Sequence, residues 1–289
     1  MNLIVLPIDG LAQVVRALRK AKESVRVTIF RCDLPEIEKA LGDAVARGVA
    51  VHALIAQTNR TGEKALRKLE LRLLELGLTV SRTADDLVRY HDKMIIVDER
   101  VLFVFGFNFT RQDLSERRSM AIVTRKRKLV NEALSLFEAD ATRQAFTTAA
   151  TDLVISPVNA RARLEKLIKS AKESLWIYDS QAIDHPMLRL LEKQSEAGVD
   201  VRLIGKVGKL GEDLRVEKLP ELHVHLRAIL RDDLELFIGS GGMRTIELDR
   251  RREVGIILRD RSAIKRFRRV FEDDWESTGA EPEEQEEAA

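Results

Sequence analysis

A single cysteine, Cys32, stands in 289 residues, so no internal disulfide framework holds the chain, and the composition is compatible with a reducing compartment. No stretch approaches the roughly 20 consecutive apolar residues of a membrane-spanning helix, which confines any membrane contact to the periphery. The N-terminus, Met1 to Pro7, lacks a basic leader and breaks at Pro7, unlike a signal peptide, so a soluble cytoplasmic protein is expected. Aromatic residues make up 5% of the chain, most of them phenylalanine in strand-like runs, which is little for a base-stacking groove. Net charge is small too, at +2. The last residues, Glu276 to Ala289, hold six acids and no base and read as a disordered tail; without those six charges residues 1–275 carry +8. A moderately basic body suits an anionic partner such as nucleic acid or lipid headgroups, although solvated helix faces explain most such charge.

What is present is ample apolar content, 45% of residues, and an internal repeat. Val5-Leu6-Pro7-Ile8-Asp9 aligns with Ile155-Ser156-Pro157-Val158-Asn159, Ala21-Lys22-Glu23-Ser24 with Ala171-Lys172-Glu173-Ser174, and Gly48-Val49 with Gly198-Val199, all at an offset of 150 residues. Asp9 and Asn159 are good N-caps, predicting amphipathic helices over 10–23 and 160–173, each followed by a strand, 25–30 and 175–178. A second helix is predicted from about Pro35 and about Pro186, ending at Gly48 and Gly198 before strands 49–55 and 199–204. Strands alternating with helices imply an α/β fold: two pseudo-two-fold-related halves, each a mixed β-sheet flanked by helices, over 1–150 and 151–276, with 277–289 as the acidic tail.

The chemistry sits in two short runs. In Tyr90-His91-Asp92-Lys93-Met94-Ile95-Ile96-Val97-Asp98 the β-branched residues read as a strand, and alternation along a strand puts His91 and Lys93 on one face. Asp98-Glu99-Arg100 makes a turn, Val101–Phe105 returns as a second strand, and Asn108 lies ten residues past Asp98. The second run, His225-Leu226-Arg227 to Asp232, repeats the pattern with Arg for Lys, and Gly239-Ser240-Gly241-Gly242 stands where Phe105-Gly106-Phe107-Asn108 stands in the first.

The spacing His-x-Lys-x(4)-Asp, the later Asn and the presence of two copies resemble the phospholipase D superfamily, whose single-chain members build one active site from two such halves. The resemblance implies a phosphodiesterase or phosphatidyltransferase in which His91 is the nucleophile and His225 the acid. Lys93 and Arg227 would flank the phosphoryl oxygens, with Asn108 and Ser240 donating hydrogen bonds. It also implies a carboxylate about twenty residues past the motif Asp to orient an imidazole. Glu253 supplies it in the second half, but the first half has Ser119, which would leave His91 without its usual partner. Asp98 and Asp232 could orient a site group or simply cap turns. The scheme needs no metal or other cofactor, and the motif does not gather a zinc ligand set.

The remaining candidates have plainer readings. His52, His185 and His223 read as structural histidines, His223 being the one to re-examine because it precedes His225 by two residues; Trp275 reads as core. Arg125 to Lys128 and Arg250 to Arg252 read as solvated turns that could also meet phosphates. Between Ile55 and His91 lie 35 residues, with a predicted helix over 62–76, against 20 between Ile204 and His225. The shorter segment, Gly205 to Gly211, is either a flexible connection or a cationic flap. Three function classes remain open: a phospholipid phosphodiesterase or transferase touching the membrane peripherally, a nuclease of the same superfamily, and a degenerate phosphodiester binder. Oligomeric state is not readable.

Overall fold

The computed structural model describes residues 1–57, 63–147, 152–211 and 213–279. Its first half runs β1 (Asn2–Leu6), α1 (Ala12–Lys20), β2 (Ser24–Ile29), α2 (Pro35–Ala46), β3 (Ala50–Ile55), α3 (Glu63–Glu75), β4 (Thr79–Arg82), β5 (Arg89–Tyr90), β6 (Met94–Val97), β7 (Val101–Phe105), α4 (Arg111–Ser115), β8 (Arg117–Thr124) and α5 (Arg127–Ala141). The second runs β9 (Leu153–Ser156), α6 (Ala160–Lys169), β10 (Ser174–Ala182), α7 (His185–Glu196), β11 (Asp200–Val207), β12 (Arg215–Glu217), β13 (His223–Val224), β14 (Arg227–Arg231), β15 (Glu235–Gly239), α8 (Thr245–Asp249), β16 (Arg251–Leu258) and α9 (Arg261–Ser277).

Each half is a mixed sheet, ordered β1-β8-β7-β6-β2-β3-β4 in the first and β12-β11-β10-β14-β15-β16 in the second. The motif strands form antiparallel hairpins, β6 with β7 and β14 with β15, as expected. Alternation along them decides the layers. Met94, Ile96, Leu102 and Val104 join Ala228, Leu230, Leu236 and Ile238, with residues of α5 and α9, in one core shared by both halves. Ile95, Val97, Phe103 and Phe105 face α1, α2 and α3, while Ile229 and Phe237 face α6 and α7. Both faces are covered, which is why these strands read as unbroken apolar runs.

Several local expectations are corrected. Asn159 stands at the N-cap position of α6 but gives no side-chain cap, and α1 starts after Leu11 instead of Asp9: the Asp9 carboxylate and Asn159 amide oxygens turn back to accept from Val5 N–H (2.8 Å) and Ile155 N–H (2.7 Å). Short polar side chains often prefer such local turns to a cap. The last helix runs through Ser277, where the acidic tail was expected to begin; 280–289 lie outside the described residues, as does Gly62 at the expected start of α3. Arg251 and Arg252 are buried on β16 rather than solvated. Trp275 is core, His52 bonds Ser81 and meets the Phe137 ring edge-on, and His185 and His223 are exposed.

Candidate active site

Two two-residue strands carry the histidines from one half into the other. β5 pairs with Arg251 and Arg252 of β16, and directly after it the His91 N–H donates to the Arg252 carbonyl at 2.8 Å. β13 does the reverse: it pairs with Arg117 and Arg118 of β8, and the His225 N–H donates to the Arg118 carbonyl at 3.0 Å. Each histidine is therefore fixed by the opposite sheet.

The side chains follow the same exchange. His91 Nδ1 lies 3.0 Å from both Glu253 oxygens, while Lys93 Nζ lies 3.1 Å from His91 Nε2 and donates to the His91 carbonyl at 2.5 Å. Lysine has only donors, so the hydrogen-bond network assigns the Nε2 lone pair as acceptor and places the ring proton on Nδ1, facing Glu253. Burial, followed by the charges of Lys93 and Arg227, holds His91 well below its ordinary pKa. Phe30 packs edge-on against the ring at 4.7 Å. Sequence reasoning gave Glu253 to the second half's own histidine and left His91 unpartnered; in the structure Glu253 serves His91, because the strand exchange lays β16 beside it.

His225 is oriented by a residue that sequence reasoning missed. Its Nδ1 lies 2.5 Å from Asp113 Oδ1 at the start of α4. Asp113 also accepts from Arg117 (3.1 Å), the Thr110 hydroxyl (2.7 Å), and the backbone and side-chain N–H groups of Asn108 (3.3 Å each). Burial raises its pKa, but the His225 contact, Thr110 and Arg117 outweigh this and hold the carboxyl well below its usual range. His225 is lowered by burial, with Asp113 opposing. The signal was available: Asp113 and Glu247 each lie 15 residues past their motif Asp.

The cations sit close by. Burial brings Lys93 down to about 8. Arg227 donates one bond to Glu247 (3.3 Å), and its Nε and Nη1 are buried without a hydrogen-bond partner, leaving donors for an anion. The glycines of the second motif also have a reason. A Cβ on Gly242 would stand 2.5 Å from Asp179 Oδ2 and 2.6 Å from Arg227 Cγ, and one on Gly241 would stand 2.8 Å from Glu253 Cβ. The position matching Asn108 is filled by the Asp179 and Arg227 side chains instead.

Three expected site residues take other roles. Asp98 lies at the far end of β6 from Lys93 and accepts from the backbone N–H groups of Lys22, Glu23 and Ser24 at 2.8 to 3.0 Å. Asp232 does the same for Lys172, Glu173 and Ser174. Both are turn locks. Ser240 is fully buried and exchanges hydrogen bonds with the backbone of Val254, beside Glu253. Asn108 donates to Asp113, His225's partner, and lines the cleft next to it.

A cleft of about 400 Å³ shares Phe30, Asn108 and Asp113 with the site and is walled by Leu66 and Leu69 of α3, with Arg31 and Lys68 at its rim. Among its described residues the shorter second-half segment has no helix to match α3. Among the described residues no group of three His, Cys, Asp or Glu side chains is placed to hold a metal ion, and no helix is long and apolar enough to cross a membrane.

The family model described as "Cardiolipin synthase, PLD-like domain" matches residues 14–141 and 164–275. The chain belongs to the phospholipase D superfamily. Its two matched segments are the two halves of the fold, each contributing one histidine motif. Mitochondrial cardiolipin hydrolases of Mus musculus and Homo sapiens are 27% and 28% identical to it over 130 residues, 45% of this chain and 57% and 50% of theirs. The chain thus spans about half the length of these curated relatives. Polyphosphate kinase from Porphyromonas gingivalis shares the fold at a TM-score of 0.79 and 19% identity, over 95% of this chain and 47% of that one. Phosphatidylserine synthase from Haemophilus influenzae does so at 0.68 and 12%, over 95% and 85%.

Proposed function

We propose that this phospholipase D-like chain cleaves or transfers phosphodiesters through a covalent phosphohistidine at His91. The observation that carries the reading is the pair of contacts on one ring: Glu253 on Nδ1 and Lys93 on Nε2, which suit a neutral imidazole with its lone pair on Nε2. That lone pair attacks phosphorus, forming the N–P bond while the P–O bond to the leaving alcohol breaks. His225, held by Asp113, gives its proton to the departing alkoxide and then takes one from the incoming water or alcohol, whose oxygen displaces His91. The free donors of Arg227, with Lys93, stabilise charge on the phosphoryl oxygens. No step calls for a metal.

Phospholipid is the proposed substrate class, supported by the family's description and by the names of the relatives it matches. Contact with a bilayer would then be peripheral, in a cytoplasmic setting. The test is turnover, with and without EDTA, of bis-p-nitrophenyl phosphate, vesicle-borne phospholipid and single-stranded DNA. Lipid turnover lost in both His91→Ala and His225→Ala is expected. Cleavage of DNA alone would move the assignment to a nuclease, and silence on all three from folded protein would leave a phosphodiester binder.

A further inference from the structure

Two arginines, 134 residues apart, repeat one arrangement across the pseudo-two-fold. Arg252 on β16 makes a bidentate bridge to Asp140 of α5 (3.0 and 2.9 Å) and donates through Nη1 to the Ser156 carbonyl (3.1 Å). Arg118 on β8 makes the same bridge to Asp274 of α9 (2.7 and 2.7 Å) and donates through Nη1 to the Leu6 carbonyl (2.9 Å). All four charged side chains are buried. Both bridges cross between the halves.

The backbone of each arginine is engaged by the same opposite half as its side chain. The Arg252 carbonyl receives the His91 N–H, and the next residue, Glu253, receives His91 Nδ1. The Arg118 carbonyl receives the His225 N–H, and the next residue, Ser119, donates through its hydroxyl to the His225 carbonyl at 3.0 Å. A planar guanidinium that satisfies two carboxylate oxygens and a carbonyl at once admits little rotation or sliding, which a lysine could not match. We infer that Arg252 and Arg118 are positioning residues, each fixing the imidazole of the opposite half by locking the strand that receives it onto that half's last helix. This rests on the two-histidine reading of the site.

The arrangement predicts a reciprocal signature that general destabilisation would not give. Imidazole ¹⁵N and Nδ1–H signals of the full chain are to be followed by NMR in Arg252→Lys and Arg118→Lys. Arg252→Lys should displace or broaden the His91 signals and leave those of His225 in place, and Arg118→Lys should do the opposite. On bis-p-nitrophenyl phosphate each variant should lose tenfold or more in kcat with little change in KM. Should either lysine variant fail to fold, the apolar pair Arg252→Met with Asp140→Leu removes both charges of that bridge together. It should fold and still show the His91 displacement. Folded variants with both imidazoles undisturbed, or both disturbed alike, overturn the inference, as does failure of every variant to fold, which would make the bridges purely structural. A wild type without turnover would sink the function proposed above while leaving the NMR signature to be read.

Discussion

Glu253 and His91 stand 162 residues apart in sequence and 3.0 Å apart in space, a contact that exists only because the two halves trade strands. His225 and Asp113, 112 residues apart, make the reverse contact. Neither half holds a complete oriented imidazole by itself. Glu253→Gln and Asp113→Asn should therefore each lower kcat by about 10²- to 10⁴-fold, the cost of losing the carboxylate that fixes a catalytic tautomer. Steady-state kinetics on bis-p-nitrophenyl phosphate checks this, and a silent Asp113→Asn would remove Asp113 from the site.

The division of labour between the histidines is testable by trapping. With His225→Ala the acid that also activates water is gone, so a good leaving group should still be displaced once while hydrolysis of the intermediate stalls. Mass spectrometry after brief incubation should find a phosphoryl adduct on the peptide carrying His91. An adduct on His225 in the His91→Ala protein would reverse the assignment.

The pattern of residues reached the fold more fully than the site. Helix ends at Gly48 and Gly198, both at positive φ, and the motif hairpins are local features, decided by turn chemistry and alternation over a few residues. The partners of His91 and His225 are not local. Their assignment depends on β5 and β13, strands of two residues each, too short to show any periodicity. Asp98 and Asp232 stayed open between a site role and a turn role for a related reason: a motif places them beside the histidines in sequence, whereas an extended strand carries them to the other end of β6 and β14, where they close turns. Arg252 read as solvated because a run of three arginines hides that the carboxylate neutralising it lies 112 residues away.

Asp98 gives a stability prediction in place of a catalytic one. Its carboxylate accepts from three backbone N–H groups, and though burial opposes, these bonds lower its pKa. A carboxyl depressed in the folded state contributes stability that is fully present above its unfolded pKa and is lost as pH falls through the folded value. Asp98→Asn should cost roughly 1–3 kcal/mol at neutral pH, and the deficit relative to wild type should shrink in acid. Denaturant melts at pH 7 and pH 3 measure this, with kcat of the folded variant unchanged.

The pH profile should carry the imprint of Lys93. The nucleophile must be neutral, and it is neutral above its pKa. Burial first and the Lys93 charge next lower that pKa, so the acid limb of kcat/KM should lie below pH 6.5, with the two imidazoles titrating as a pair. Removing a neighbouring positive charge favours protonation. In Lys93→Met the His91 titration followed by ¹⁵N NMR should therefore move upward, whatever becomes of turnover. A downward move would mean that Lys93 does not act on His91 through its charge.

The α3 cleft makes the site lopsided, and that asymmetry should appear as substrate preference. Phe30, Leu66 and Leu69 are the apolar part of a lining that also holds Arg72, Gln112 and Arg117, Arg31 and Lys68 stand at its rim, and its volume of about 400 Å³ leaves room for one extended substituent of a diester. Ala65 is the exposed α3 residue of that lining, so a tryptophan there would project into the space without disturbing the core. Ala65→Trp should therefore raise KM for a long-chain p-nitrophenyl phosphodiester by roughly tenfold more than for the methyl ester, about 1.4 kcal/mol of lost binding. An equal effect on both would show that the substituent lies elsewhere.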